Sequence, residues 1–398
     1  MSIPGVEGTV VIEMAEGIAG PFCGTILASL GARVIKIEPP EGDWARTTGP
    51  PFLSGWSAIY LSMNRGKESL SLNLRDPRGA EVVQRLAGRG DVVVLGYRPG
   101  VAERLGLGAQ ELVAANSRLV HCSISGYGNR GPKRERPGSD TILQGYAGIM
   151  SATGEPDRGP SRVGTPLADT ASGVYAALGI MTMLLRRTVT GQGGICDTSL
   201  LEALIHLQTV SLAMFSGGAP SQRLGSRSSL SAVPAQAFAT ADGYVNLSCH
   251  GTRQWRRLCH ALGHPDWEAR PGISTNEERV ANHPEVVRLI EAALGEATTT
   301  EWMETFEREG VNAGVIHTYA DVVADEQVRA LGILESHLSD AYGAFEYTGL
   351  PLTFDLARDA ERLGEPPALG QHTRALLAEA GYSAADTAVL LDQGVAVE

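Results

Sequence analysis

The 398 residues carry 33 Lys and Arg against 45 Asp and Glu, a formal charge of -12 that argues against nucleic acid or an anionic membrane surface as the main partner. With 43% hydrophobic and 20% charged residues the composition is globular, which excludes wholesale disorder, and the length calls for one large domain and a smaller one. Five scattered cysteines make no disulfide framework, the first residues do not read as a secretory signal, and no run reaches the roughly 18 apolar residues of a membrane helix, so a cytoplasmic protein is expected.

In chain order, Thr9–Met14 is β-branched and apolar and predicts a buried strand. A turn with Gly17, Gly20 and Pro21 leads into a helix over Phe22–Leu30, stopped by Gly31, and Ala32–Glu38 predicts the next strand. Strand, turn, helix, strand is a βαβ unit and implies a parallel sheet with right-handed crossovers. The pattern recurs with a helix over Pro77–Gly88 and strands at Asp91–Leu95 and Leu119–Ser125. Thr170–Arg187 is apolar nearly all round, which predicts a helix buried in the core or at a subunit interface. Residues 216–231 read as a linker or exposed loop. A strand at Gly243–Cys249, helices at Arg253–Leu262, Glu285–Leu294 and Thr300–Glu309, and a strand at Ala313–Ile316 then suggest a smaller α+β domain. From Tyr347 the chain returns to short strands and a closing helix at Thr373–Gly381. The organisation expected is 1–205 as the large domain, 206–230 as linker, 231–325 as the small domain, and 326–398 returning to the large one.

The common catalytic motifs are absent. There is no G-x-S-x-G elbow and no Walker loop, and the first βα turn lacks G-x-G-x-x-G, which disfavours a nicotinamide site. His260 and His264, with Cys249, His250 and Cys259 nearby, lack a further ligand at a recognisable spacing, so no metal site is expected. Asp169 stands immediately before the long apolar helix. It reads either as an N-cap or as an anionic nucleophile kept ionised by the helix N-terminus beside an apolar wall. Asp140, in Pro137-Gly-Ser139-Asp140, reads as a turn aspartate opening a helix at Thr141. Lys67 and Arg104 read, from the residues alone, as solvated surface charges.

The order of motifs along the chain resembles that of the family III CoA-transferases. The likeness runs from Ala19-Gly-Pro-Phe through Leu30-Gly-Ala-Arg-Val-Ile-Lys-Ile-Glu-Pro, Gly42-Asp43, Asn64-Arg-Gly-Lys67 and Arg98-Pro-Gly-Val-Ala-Glu-Arg-Leu-Gly. It continues at Ser125-Gly-Tyr-Gly, Pro137-Gly-Ser-Asp, Gln144, Gly148-Ile-Met-Ser, Thr153-Gly154, Gly191-Gln-Gly-Gly, Asp242-Gly243, Val311–Asp325 and Leu369-Gly-Gln-His-Thr. The resemblance implies a Rossmann-like α/β large domain formed by both chain ends, a smaller α+β domain, and an interlocked dimer whose subunits thread through each other. It implies transfer of CoA from an acyl-CoA to a carboxylic acid through the Asp169 carboxylate, by way of an aspartyl anhydride and an aspartyl-CoA thioester. A CoA thioester is then the substrate, with no permanently bound cofactor.

The same resemblance implies CoA contacts at Asn64, Lys67, Tyr97 and Arg104, the two basic residues acting on phosphates. Gly96 stands where the family has asparagine. Ser139 and Asp140 are expected to support the site. Gly217 and Gly218, or the loop Leu224–Ser231, are candidates to supply oxyanion-binding amides, with Arg223 and Arg227 placed to bind an acceptor carboxylate. Short dicarboxylates, such as succinyl-CoA with another diacid, are the substrate pair expected at family level. A racemase of the α-methylacyl-CoA type is the nearest alternative. It needs a histidine where this chain has Ser139 and a glutamate that Ser248-Cys-His-Gly-Thr-Arg-Gln-Trp does not offer. A non-catalytic CoA-binding protein is the other, and the presence of Asp169 argues against it.

Overall fold

A computed structural model of the chain describes residues 6–229, 232–354 and 363–398. Six parallel strands form the main sheet: β1 (Val10–Met14), β2 (Arg33–Glu38), β3 (Lys67–Leu72), β4 (Val92–Leu95), β5 (Val120–Ser125) and β6 (Gly194–Ser199). Their order in space is β3-β2-β1-β4-β5-β6, and Ala396–Val397 adds a seventh, antiparallel strand on β3. The chain moves outward from β1 to β3, then restarts at β4 on the other side of β1. The order therefore reverses between β1 and β4, and the crevice outside the carboxyl ends of those strands is where such sheets bind ligands.

Side-chain alternation along the strands divides the core into two layers. Ile12, Met14, Ile35, Ile37, Val93 and Leu95 pack under the helix Pro77–Ala87 and under the late helices Thr373–Glu379 and Ala384–Asp392. Val11, Val34, Val92, Val94, Val120 and Cys122 pack under α1 (Ala19–Ser29) and the long helix introduced below. Both chain ends thus build one unit, comprising residues 1–149, 163–209 and 326–398. The other unit comprises residues 150–162 and 210–325. It holds a three-stranded antiparallel sheet of Ala235–Ala239, Tyr244–Ser248 and Ala313–Val315, with Phe238, Leu247, Trp255, Leu258, Ile290 and Phe306 in its core.

Several expectations need correction. β3 (KESLSL) and β6 (GICDTS) carry too many polar residues to signal strands, yet β3 is buried between its neighbours and β6 forms the half-exposed edge of the sheet. The stretch 206–230 is not simply a linker, because Thr209–Ser216 is helical. Of the short strands expected from Tyr347, Ala396–Val397 is one, while the hairpin of Leu334–Ser339 and Gly343–Thr348 begins earlier. A further helix, Ala384–Asp392, follows the closing helix expected at Thr373.

Candidate active site

α2 (Asp140–Tyr146) and α3 (Leu167–Thr190) meet at the start of α3. Proline at 166 suits the entrance to a helix, since it needs no amide hydrogen there and its φ is already helical. Thr170 Oγ1 donates to the Pro166 carbonyl at 3.0 Å and closes the first turn. The N-cap is Pro166 and makes no side-chain cap, which places Asp169 inside the first turn and corrects its reading as an N-cap. The capping carboxylate comes from the other helix: Asp140 Oδ1 accepts the Ala168 amide at 2.7 Å.

Fully buried Gln144 fixes this joint. Its Nε2 donates to Asp140 Oδ2 at 2.7 Å and to the Thr165 carbonyl at 3.3 Å, and its Oε1 accepts the Val163 amide at 2.9 Å. Asp140 is therefore more than a turn residue. It satisfies an amide that the helix start leaves without a partner, and it sets a negative charge beside Asp169. Burial first, and then Asp140, push the Asp169 carboxyl up to about 7. The helix N-terminus does not keep it at an ordinary carboxylate value, because desolvation and a like charge outweigh the dipole. No hydrogen bond to the Asp169 carboxyl is formed among the described residues. Ser139 is the exposed residue before α2, with no side-chain cap of its own.

α3 packs on the sheet through Ala168, Ser172, Gly173, Ala176, Ala177, Ile180 and Leu184. Its other face exposes Val174, Leu178, Leu185 and Val189, the last 85% exposed. By length and hydropathy alone it could cross a bilayer, which the sequence reading did not expect, but its buried face makes it a core helix of the sheet.

A cleft of about 820 Å³ opens at the carboxyl ends of the strands where the order reverses. Pro39–Asp43 beyond β2, Asn73–Arg75 beyond β3, and Tyr97, Val101 and Leu105 beyond β4 line it, with Glu16 beyond β1 and the exposed ring of Trp44. Asn73 Oδ1 accepts the Arg75 amide at 3.1 Å, a local turn that sets the exposed Arg75 at the rim. Sequence reasoning missed both residues. The signal available was the Asx-turn pattern at Asn73 alone, because the strand before it does not read as one. Tyr97 lies in the cleft wall, and Arg104 is an exposed residue of the short helix Val101–Arg104 that contributes to the same wall. Gly96 has a steric reason, since a Cβ there would stand 2.9 Å from the Ala15 Cβ.

Asn64 and Lys67 do not line the cleft. Lys67 is buried, and its Nζ donates to Glu13 Oε2 (2.8 Å), the Pro21 carbonyl (2.8 Å) and Asn64 Oδ1 (3.1 Å). Asn64 is also fully buried and donates to the Tyr60 carbonyl. Lys67 is thereby corrected from a solvated surface charge, and both residues belong to an internal ion network. Lys36 shares the Glu13 carboxylate at 3.2 Å, pairs with Asp43 at 2.8 Å, and donates to the Ala15 carbonyl at 2.7 Å. Asp43 in turn accepts the Gly17 amide at 2.9 Å. With two ammoniums on one carboxylate, burial draws Lys67 down to about 8, while its anionic neighbours hold Lys36 above the usual lysine range against its own burial. Gly24 is required here, because a Cβ would lie 1.9 Å from Glu13 Oε2. The network clamps the β1–α1 turn that borders the cleft.

Several of the expected oxyanion amides already have backbone partners. Gly217 and Gly218 donate to the Ala213 and Phe215 carbonyls and end a helix. Gly225, Arg227 and Ser228 donate to Gly154, Leu224 and Ala235, while Leu230 and Ser231 lie outside the described residues. Arg223 is directed at the Glu155 and Pro156 carbonyls instead of standing free for a substrate. His264 stacks on Trp267 at 4.3 Å, and Cys249 and Cys259 are buried in the core around Trp255.

The sequence profile of CoA-transferase family III matches residues 6–373. Succinyl-CoA:glutarate CoA-transferase of Mus musculus is 35% identical over 379 residues, covering 95% of this chain and 87% of the relative. Acetyl-CoA:oxalate CoA-transferase of Acetobacter aceti is 36% identical over 331 residues, 82% of this chain and 85% of the relative. A CAIB/BAIF family protein from Brucella suis superposes with a TM-score of 0.85 at 34% identity, covering 96% of this chain and 100% of the other.

Proposed function

Because the chain belongs to CoA-transferase family III and so moves CoA between acyl-CoA thioesters and carboxylates, we propose that Asp169 is the carboxylate through which it does so. One observation carries this reading. Asp169 is the carboxyl drawn up to about 7 beside a second carboxylate, with no hydrogen bond to blunt it among the described residues. A carboxylate of raised basicity is a better nucleophile and still ionises near neutral pH.

An Asp169 oxygen attacks the donor carbonyl carbon, the C–S bond breaks, and CoA leaves as thiolate from a mixed acyl-aspartyl anhydride. The thiolate attacks the aspartyl carbonyl, which releases the donor acid and forms aspartyl-CoA. The acceptor carboxylate displaces the thiolate again to give a second anhydride, and the thiolate then takes the acceptor acyl group and frees Asp169. Each step exchanges one activated acyl bond for another, so no external energy is required. Protein incubated with a donor acyl-CoA and no acceptor should gain a covalent adduct on the Asp169 peptide, trapped by hydroxylamine and read by mass spectrometry. Its absence with a competent donor would remove Asp169 from the reaction.

CoA itself is proposed to lie in the 820 Å³ cleft, its ring against Tyr97 or Trp44 and its phosphates toward Arg75 and Arg104. Arg75→Ala should weaken CoA-ester binding by about 1–3 kcal/mol in calorimetry with an unchanged melting temperature, as for loss of one charged hydrogen bond. Unchanged affinity would move the phosphates elsewhere. Two relatives named for glutarate and oxalate favour short dicarboxylates as acceptors. The apolar face that α3 leaves exposed favours a second copy of the chain over it, as in an interlocked dimer. The mass in solution should then be twice the 42.0 kDa of the chain and should resist dilution, whereas a stable monomer would oppose this assembly. Cys122 and Cys196 face each other across β5 and β6 as free thiols, which favours a reducing compartment such as the cytoplasm.

A further inference from the structure

Gln144 is wholly buried where α2 meets the start of α3, one helical turn after Asp140, a spacing that sets two side chains on one helix face. Its main-chain partners fix which way the amide is turned. The Val163 N–H can only donate and meets Oε1 at 2.9 Å, while the Thr165 carbonyl can only accept and meets Nε2 at 3.3 Å. Turned over, the amide would satisfy neither. Nε2 is therefore also the atom that donates to Asp140 Oδ2 at 2.7 Å.

That orientation constrains Asp140. Its Oδ2 faces the Gln144 N–H and its Oδ1 faces the Ala168 N–H at 2.7 Å, so both oxygens act as acceptors. A proton on either oxygen would weaken the bond it accepts, and donors of this kind favour the charged form of a carboxyl. The half-buried Asp169 carboxyl receives no such help among the described residues, and Asp140 is the one charged group that bears on it. Where two carboxyls crowd one joint, the one without donors keeps the proton longer.

We propose that Gln144 is a positioning residue of the transfer reaction, which holds Asp140 as a fixed acceptor and so leaves Asp169 as the aspartate that takes and releases the proton and attacks. This rests on Asp169 being the nucleophile. It adds that a neutral side chain, with no hydrogen bond to Asp169 itself, decides between the two carboxyls.

The test is the pH profile of transfer by Gln144→Met, which removes the donor at similar volume. Asp140 then competes for the proton and, once protonated, no longer raises the proton affinity of Asp169. The acid limb of kcat/KM, near 7 in the wild type, should move down by about one pH unit. The plateau should fall roughly tenfold as the nucleophile loses basicity. On an Asp140→Asn background the same substitution should leave the limb unmoved, because the group it acts through is gone. A merely structural role would lower activity in both backgrounds without moving the limb in either. Carboxyl-13C spectra of aspartate-labelled wild type decide the matter if Gln144→Met fails to fold, with Asp140→Asn and Asp169→Asn identifying the two signals. The Asp169 signal should titrate near pH 7 and the Asp140 signal should not move between pH 8 and pH 5. These spectra involve no turnover, so they separate a failure of this assignment from a failure of Asp169 as nucleophile. A limb that stays near 7 in a folded Gln144→Met protein, or an Asp140 signal that titrates before that of Asp169, overturns the proposal.

Discussion

Asp169→Asn should abolish transfer and at the same time make the protein more stable above pH 7. The loss of transfer should be several orders of magnitude, because asparagine has no anionic oxygen to attack a thioester. The gain in stability follows from linkage. An unfolded aspartate titrates near 3.8 and this one near 7, so the folded state holds the proton more tightly. The stabilisation from that group is complete below about pH 3.8 and is lost as pH rises through 7. At pH 8 the wild type carries a half-buried carboxylate beside Asp140, and the uncharged amide removes that penalty, worth roughly 1–3 kcal/mol. Melting temperatures of both proteins at pH 5 and pH 8 measure this, with the larger difference expected at the higher pH. For the wild type, kcat/KM should fall as pH drops below 7, since only the ionised form attacks. A variant that turns over normally sinks the assignment. Equal melting at pH 8 would mean that the carboxyl is better solvated than its surroundings imply.

The second large effect is expected at Glu13. This carboxylate alone lies between Lys36 and Lys67, all three side chains being fully enclosed. Glu13→Gln leaves the Lys67 ammonium without a carboxylate in the core, and Lys36 with Asp43 alone. Breaking such a buried pair from one side costs about 3–5 kcal/mol, which would be read as a shift in the denaturant midpoint. The double variant Glu13→Gln, Lys67→Met should recover much of the loss, because the uncompensated charge is gone. The single variant should also weaken CoA-ester binding. Lys36 and Lys67 hold the Ala15 and Pro21 carbonyls, so the turn between β1 and α1 loosens with them. A single variant as stable as the wild type would mean that the lysines are neutral in the core.

The parallel sheet was legible from its apolar strands and from the glycine and proline between them, since β1 and β4 are runs of β-branched residues and β2 and β5 carry valine and isoleucine between polar positions. β3 was not, because its lysine and glutamate look solvated until the partners of Lys67 are seen. The same blindness made Lys67 read as a surface charge. Motif position says that a residue matters but not whether it faces a ligand or a neighbouring strand. Asp169 was found from its place before an apolar helix, but its raised proton affinity depends on Asp140, 29 positions earlier, and no local pattern joins the two. Arg75 is one exposed arginine among many until the fold sets the ends of β1 to β4 around one cleft.

The sheet edge and one core layer depend on residues that the ribosome makes late. Leu376, Leu377, Leu390 and Val395 pack against β1 to β4, and Ala396–Val397 covers the outer edge of β3. During synthesis the residues 210–325 of the other unit emerge first and can fold while that layer is still missing. Until the later helices arrive, the nascent chain presents Ile35, Ile37 and Leu70 to solvent beside an unpaired strand. The period most exposed to aggregation, and to capture by chaperones, is therefore the interval between completion of the inserted unit and arrival of the closing strand.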